Sequence, residues 1–382
     1  MSKPKTSDNR ILIVTRNLPP LIGGMERLNL NMAKGLAKHN KVAVIGPSIS
    51  RDSLPANVQF SGAPLTPIWL FLLYAQLNAI FHTFKLRPTH IIAGSGLTAP
   101  IALVCAKLIG AKAITYTHGL DVAVAHPLYK RFWIPSLRRM NTVIANSKPT
   151  KALLVERGIL ESKIVVIHPG VDIPEQQPSA MEVNSFKQLY GLQGGPVLLS
   201  VGRLTTRKGL KEFVAKSLAD IAREFPTVKL LIVGETPQNS LYAKAQTKSE
   251  ILEEAGKHGL TSNLVFTGNI TDLRTLQIAY AASDVHVFPV REIQGDPEGF
   301  GMVAIEAAAC GTPTAGFSTG GTVDSVAESV SGHLASQGNY QALSEIIKTI
   351  LKNPTNKRDC LKFAESFSWD NFKDRISAAI AK

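Results

Sequence analysis

The chain has 382 residues, 45% of them apolar, and a formal net charge of +13. That length exceeds one ordinary core and suits two domains, and the apolar content excludes a disordered or fibrous chain. Three widely spaced cysteines, Cys105, Cys310 and Cys360, exclude a disulfide framework and a cysteine-built zinc site, while the positive balance favours anionic partners.

The first ten residues, MSKPKTSDNR, precede an apolar run starting at Ile11 that is too short and badly placed for a signal peptide. A cytoplasmic location is therefore expected. Strand-like and helix-like segments then alternate, with strands predicted over 11–15, 41–46, 90–93, 113–117, 142–145 and 164–167 and a first helix over 25–37. The stretch 68–84, IWLFLLYAQLNAIFHTF, is shorter than a comfortable membrane span and contains Gln76, Asn78 and His82. It predicts a buried or half-buried helix, with a membrane-facing helix as the sharper alternative. The polar, proline-punctuated run from Asp172 to Pro178 breaks the pattern. It sets an N-terminal domain over 1–172, a linker over 173–181 and a second domain over 182–366. Further strands are predicted over 197–201, 229–233, 264–267 and 285–288, and helices over 210–225, 249–258, 272–281 and 302–309. This β-α-β series predicts two doubly wound parallel sheets covered on both faces. Ligands of such sheets bind outside the carboxyl ends of the strands.

Four loops after predicted strands carry candidate chemistry. Gly23-Gly24 lets backbone amides approach an anion before a helix, although it is not the dinucleotide fingerprint G-x-G-x-x-G. A tight strand-to-helix turn explains it equally well. The loop from Gly202 to Gly209 places Arg203, Arg207 and Lys208 at a strand end, where they suit a diphosphate. The run 297–307, PEGFGMVAIEA, puts Glu298 in a glycine-rich turn and Glu306 about two helical turns later, so that two carboxylates could accept from hydroxyls at two ends of one ligand. A helix with solvated glutamates is the plainer reading, weakened by Ala304, Ala307, Ala308 and Ala309. His118 in THGLD follows another predicted strand and precedes a glycine; a lone histidine is usually structural, but this position makes it a site candidate. The basic residues show no nucleic-acid motif, so a nucleic-acid partner is not expected.

The pair Glu298/Glu306 around GFG, together with GRLTTRKG, Gly23-Gly24, the HG of His118, ANSKPTKALLVERGI, KIVVIHPGVD, CGTPTAGFSTGG and FSWDNF, resembles retaining glycosyltransferase family 4 over nearly the whole chain. The resemblance implies an α/β GT-B architecture, two Rossmann-like doubly wound domains facing each other across a cleft. A closing helix over 367–382 would return to the first domain. It also implies that Arg203 and Lys208, with Gly24 and the Gly23 and Gly202 turns, bind the diphosphate of a nucleotide-sugar donor. Glu298 and the amides of Gly299, Phe300, Gly301, Met302 and Val303 would hold the donor sugar and distal phosphate. Glu306 would hold the ribose, Asn269 and Ile270 would face the base, and His118 would contact the sugar near the reaction centre. Gly234-Glu235-Thr236-Pro237 departs from the usual glycine-rich turn, and 291–296 is longer and more charged than a minimal version.

The implied activity is transfer of a hexose to a glycan or lipid-linked acceptor without a cofactor or metal, and no D-x-D pair occurs. The nucleotide diphosphate sugar is a co-substrate. No carboxylate stands out for a double displacement, and the resemblance implies a front-face retaining route. The alternatives are an epimerase, a phosphorylase or a catalytically silent nucleotide-sugar-binding protein. A nicotinamide dehydrogenase is disfavoured by the missing fingerprint. Peripheral contact with the inner membrane face is a further expectation, from the basic charge and the apolar 68–84 stretch.

Overall fold

The computed structural model describes residues 9–237 and 244–381. It divides into two compact units, 1–170 with 369–382, and 171–368. The segment read as a linker, 173–181, thus belongs to the second unit, and the last helix belongs to the first.

The first unit is built on a seven-stranded parallel sheet in the order β3-β2-β1-β4-β5-β6-β7. Its strands are β1 (Arg10–Val14), β2 (Lys41–Pro47), β3 (Gln59–Ala63), β4 (His90–Ala93), β5 (Lys112–Thr117), β6 (Thr142–Ala145) and β7 (Ile164–Val166). The central strands are continuous apolar runs because helices cover both faces. Helices α2 (Ile68–Leu86) and α3 (Ala99–Ile109) pack Phe71, Ala75, Ala79 and Ala102 into one core with Leu12, Val14 and Ile91. On α1 (Gly24–Leu36) lies the closing helix Trp369–Ala381. Gly35 makes that approach possible, since a Cβ there would sit 2.5 Å from Lys373 Cγ. The 68–84 stretch is therefore a helix with one buried face, on Phe71, Ala75, Ala79 and His82, and one exposed face.

The second unit holds a six-stranded parallel sheet in the order β10-β9-β8-β11-β12-β13. Its strands are β8 (Val197–Val201), β9 (Lys229–Val233), β10 (Leu264–Gly268), β11 (Val285–Phe288), β12 (Thr314–Phe317) and β13 (Gly332–Ala335). The strands β3, β12 and β13 are absent from the sequence expectation. QFSGA, TAGF and GHLA are short and rich in glycine and alanine, so they lack the β-branched runs that mark a strand. The predicted 210–225 helix is present as Leu210–Phe213 and Ala219–Glu224 joined by a π turn at Val214–Leu218.

Both orders reverse direction once. The reversal lies between β1 and β4 in the first unit and between β8 and β11 in the second. At such a switch point neighbouring loops diverge and leave a crevice, the usual ligand position in open α/β sheets. Gly23-Gly24 follows β1, while the Arg203–Lys208 and Glu298 loops follow β8 and β11.

Candidate active site

The loop after β8 starts at Gly202, whose φ of +135° suits glycine, and leaves Arg203 exposed. A short 3-10 turn, Thr206–Lys208, then ends at Gly209 in the left-handed conformation. A Cβ at Gly209 would meet the Pro289 carbonyl oxygen at 2.2 Å, so only glycine lets this loop press against the one after β11. The Arg291 amide donates to the Arg207 carbonyl at 2.8 Å and locks the two loops together.

Four charges meet at this junction. Arg207 pairs with Glu298 through Nη1, and its Nε lies 3.2 Å from Asp296 Oδ1. Lys208 Nζ donates to Glu298 Oε2 at 2.9 Å. All four side chains are at most 18% exposed, which places them where pairing matters more than on an open surface. Burial alone pushes the Glu298 carboxyl up, but Arg207 and Lys208 together outweigh it and hold the group near 2. Burial pushes Lys208 down, opposed by Glu298 and reinforced by Arg207 and Arg203. For Arg207 burial acts downward, and Glu298 and Asp296 outweigh it, so its value is raised.

Beneath the lysine lies an aromatic floor. Lys208 Nζ sits 4.6 Å from the centroid of Phe288, within cation–π range. His286 stacks at a tilt on Phe288, is fully buried, and shares a hydrogen bond of 3.0 Å with Thr314 Oγ1. Burial, with Lys208 adding to it, lowers His286 to about 3. This histidine is therefore neutral at working pH, and adds no positive charge below Lys208.

The Glu298 turn runs into the helix Met302–Ala309 through Gly301, which is left-handed at φ +88°. A Cβ there would meet Phe288 and Ser325 below 3.0 Å. Gly320 and Gly321 back the turn from behind, where side chains would strike the carbonyls of Glu298 and Gly299 at 2.5 and 2.2 Å. The Gly321 amide donates to the Glu298 carbonyl at 2.8 Å. That is the structural use of the FSTGG motif. The Phe300 side chain is buried against Phe367, so only its backbone faces ligand chemistry. The first-turn amides of Met302 and Val303 have no partner within the helix, as at any helix start, an arrangement that suits an anion. Glu306 accepts from the Tyr280 hydroxyl at 3.1 Å. Across the sheet, Asn269 Nδ2 donates to Glu235 at 3.3 Å, and Ile270 packs against the core cluster that includes Leu199, Leu231 and Tyr280. Gly234 follows β9 so tightly that a Cβ would sit 2.0 Å from the Gly202 carbonyl oxygen.

In the first unit Gly23 precedes α1 with extended backbone, and a Cβ there would collide with Glu26 Oε2 at 2.3 Å. The Glu26 carboxylate accepts from Asn17 Nδ2 at 2.7 Å. His118 follows β5 with its Nε2 3.0 Å from the Gly94 carbonyl oxygen. A carbonyl can only accept, so Nε2 carries the proton and Nδ1 is the nitrogen left for a ligand. Asp121 fixes this corner, accepting from the amides of Gly96 at 2.7 Å and His118 at 2.8 Å.

The second unit thus places Gly202, Arg203 and Lys208 on the loop after β8, and the Glu298–Gly301 turn with the helix that carries Met302, Val303 and Glu306 after β11, at its switch point, with Asn269 and Ile270 after β10. Gly23, Gly24 and His118 lie on the loops of the first unit. Sequence reasoning missed Asp296, His286, Tyr280 and Asp121, and placed Arg207 in the diphosphate loop without its carboxylate partners. The 291–296 stretch ties the β11 loop down at both ends, through Arg291 to Glu212 and Asp296 to Arg207. Among the described residues no three His, Cys, Asp or Glu side chains gather as a metal-binding group.

Comparison with known proteins agrees with the two-unit fold. The Glycosyltransferase Family 4 model matches residues 22–175, and the model of Glycosyl transferases group 1 matches 184–367. The chain is 26% identical to the 2-deoxystreptamine glucosyltransferase of Streptomyces kanamyceticus over 92% of its length and 96% of that protein. It is 25% identical to a GDP-mannose-dependent phosphatidylinositol monomannoside mannosyltransferase of Mycolicibacterium smegmatis, covering 97% and 96%. The fold is shared with Anabaena HepE in complex with UDP-glucose, at TM-score 0.79 and 20% identity over 98% and 99% of the two chains. Two parallel-sheet α/β units of the GT-B type, matched one after the other by the two models, show that the chain belongs to the family 4 glycosyltransferases.

Proposed function

We infer that the chain transfers a hexose from a nucleotide diphosphate sugar to a glycan or lipid-linked acceptor at the cytoplasmic membrane face, with retention and without a divalent metal. The observation that carries this reading is the pair of cations, Arg203 and Lys208, at the carboxyl end of β8 beside the Glu298 turn. As the bond between the anomeric carbon and the donor phosphate breaks, negative charge grows on the diphosphate. Two fixed cations and the Met302 and Val303 amides stabilise it without reorganising. Glu298 accepts from hydroxyls of the sugar, and Glu306 from the ribose. HepE binds UDP-glucose and the mannosyltransferase relative uses GDP-mannose, which supports a nucleotide diphospho-hexose donor.

Retention follows from a front-face route. The acceptor oxygen bonds to the anomeric carbon on the side the phosphate leaves, and its proton passes to a phosphate oxygen. What supports this over a covalent intermediate is Glu298 itself. A carboxylate held near 2 by two cations is a weak nucleophile and is not available as an acid. His118, with Nδ1 facing away from Gly94, is assigned a contact to the sugar, and Gly23-Gly24 to the diphosphate.

Glu306→Gln is expected to weaken binding of the nucleotide diphosphate alone by roughly tenfold, the loss of a charge-assisted hydrogen bond. Isothermal calorimetry reads this directly, and unchanged affinity removes Glu306 from the ribose. A thermal-shift panel of nucleotide sugars tests the donor class, and stabilisation by none of them would refute it.

A further inference from the structure

We propose that the outer face of α2, with its neighbours on α3 and the 128–132 segment, is a docking surface for an anionic lipid bilayer. Trp69, Leu73, Leu77, Phe81 and Phe84 recur at three- and four-residue spacing along α2 and form one stripe. Each is 49–63% exposed, while the opposite stripe is packed in the core. A solvated helix face is ordinarily polar. Here the apolar stripe continues onto Val104 and Leu108 of α3, and Leu128 and Phe132 of the next segment are exposed as well. The two helices are in direct contact, with Gln76 Nε2 3.6 Å from Cys105 Sγ. Exposed apolar residues grouped in this way mark an interaction site.

Charge identifies the occupant. Residues 53–139 contain eight lysines and arginines, all exposed, and a single acid. That acid, Asp121, is committed to the Gly96 and His118 amides. Two of these cations lie beside aromatic rings of the apolar area. Lys85 Nζ lies 5.5 Å from the Phe81 ring and the Arg131 guanidinium 6.0 Å from the Phe132 ring. Long side chains whose stems cover aromatics while their heads reach outward match a headgroup layer with acyl chains behind it. A second copy of the chain would oppose like charge with like charge. A dissolved polyanion would leave the stripe of aromatic and aliphatic side chains unburied. No described helix is long and apolar enough to cross a membrane, so the contact lies in the interface plane.

The inference rests on the reading of a membrane-side acceptor for its purpose only, because vesicle binding needs neither donor nor transfer. Its test is co-sedimentation of the full chain with phosphatidylglycerol-rich and pure phosphatidylcholine vesicles at low and high salt. Binding to the anionic vesicles is expected, falling about tenfold at high salt, with little binding to phosphatidylcholine. The exposed-face variant Leu77→Glu/Phe81→Glu should bind at least tenfold more weakly, with its circular dichroism and its calorimetric affinity for the nucleotide sugar unchanged. Lys85→Glu/Lys107→Glu should lose the salt-sensitive part. Trp69 fluorescence should shift to the blue on adding anionic vesicles, and Trp69→Phe should abolish most of that shift. No binding at low ionic strength, or binding that both double variants retain, would overturn the proposal. A concentration-dependent dimer that the Leu77→Glu/Phe81→Glu variant abolishes, without vesicle binding, would assign the face to a second copy instead. Loss of nucleotide-sugar affinity in the native chain would refute the donor reading and leave this one standing.

Discussion

Lys208→Ala is expected to lower kcat/KM by about 10²–10³-fold and leave the second unit folded. The lysine is the better placed of the two proposed diphosphate cations, because its position is imposed from three sides. Glu298 holds its ammonium at 2.9 Å, Phe288 lies beneath it at 4.6 Å, and Gly202 borders its stem, where a Cβ would stand 3.5 Å from Lys208 Cε. Such preorganisation is what makes a cation effective against charge that develops only in the transition state. The fold tolerates the loss because Arg207 still pairs with Glu298. Steady-state kinetics with thermal unfolding checks both halves. A folded variant with near-normal kcat/KM would remove Lys208 from the chemistry. Arg203→Ala is expected to act in the same direction with a smaller effect, since its side chain is exposed and less constrained.

Arg207→Ala is expected to do the reverse, with stability falling first. Arg207 joins both Asp296 and Glu298, and its removal leaves Asp296 without that partner in a site only 11–14% exposed. Breaking a pair of this kind costs about 3 kcal/mol. For a unit of this size that is a fall in Tm of roughly 10 °C. Arg207→Lys should recover part of it, because one ammonium cannot hold two carboxylates as a guanidinium fork does. Unchanged unfolding of Arg207→Ala would show that the cluster contributes nothing.

The same cluster sets an acid limit. Glu298 has a folded value near 2 against an ordinary 4.5, so its share of stability is present above about 4.5 and is lost as pH falls towards 2. His286, held near 3 against 6.5, stays neutral in the fold while the unfolded chain gains a proton. Its contribution therefore begins to fall at pH 6.5. Thermal unfolding of the native chain should weaken gently below pH 6.5 and steeply below 4.5. The gap between native and Arg207→Ala stability should narrow across the second window. A constant gap down to pH 3 would contradict the role given to the arginine.

Much of this molecule was legible before any coordinates. The strands at His90–Ala93, Thr142–Ala145, Val197–Val201, Lys229–Val233 and Val285–Phe288 end where their apolar runs end, because a parallel strand buried on both faces must be apolar throughout. The loops after them were readable for the same reason. Glycines and charges stand out against such runs, and a switch point is where they are put to use. The strands β3, β12 and β13 were illegible because glycine and alanine, chosen for close packing, remove the propensity signal. Gly316, whose Cβ would strike the Phe288 carbonyl at 2.6 Å, is one such position.

The residues of the charged junction were visible in the sequence, and their partnerships were not. Arg207 and Lys208 look alike in the sequence, as adjacent cations in one loop. Their difference comes from Asp296 and Glu298, and the latter is 91 positions from Arg207. The separation becomes a contact only because β8 and β11 are neighbours in the sheet. His286 was invisible for a related reason. A buried histidine in an apolar strand resembles any other core residue until the lysine above it is placed.

The central claim is that the second unit receives a nucleotide sugar at the carboxyl ends of β8 and β11. A crystal structure with a bound, non-hydrolysable nucleotide sugar tests it most directly. Phosphate oxygens are expected within hydrogen-bond distance of Arg203 and Lys208, with the ribose on Glu306 and the hexose on the Glu298 turn. A diphosphate bound away from that switch point, with those four side chains untouched, would contradict it.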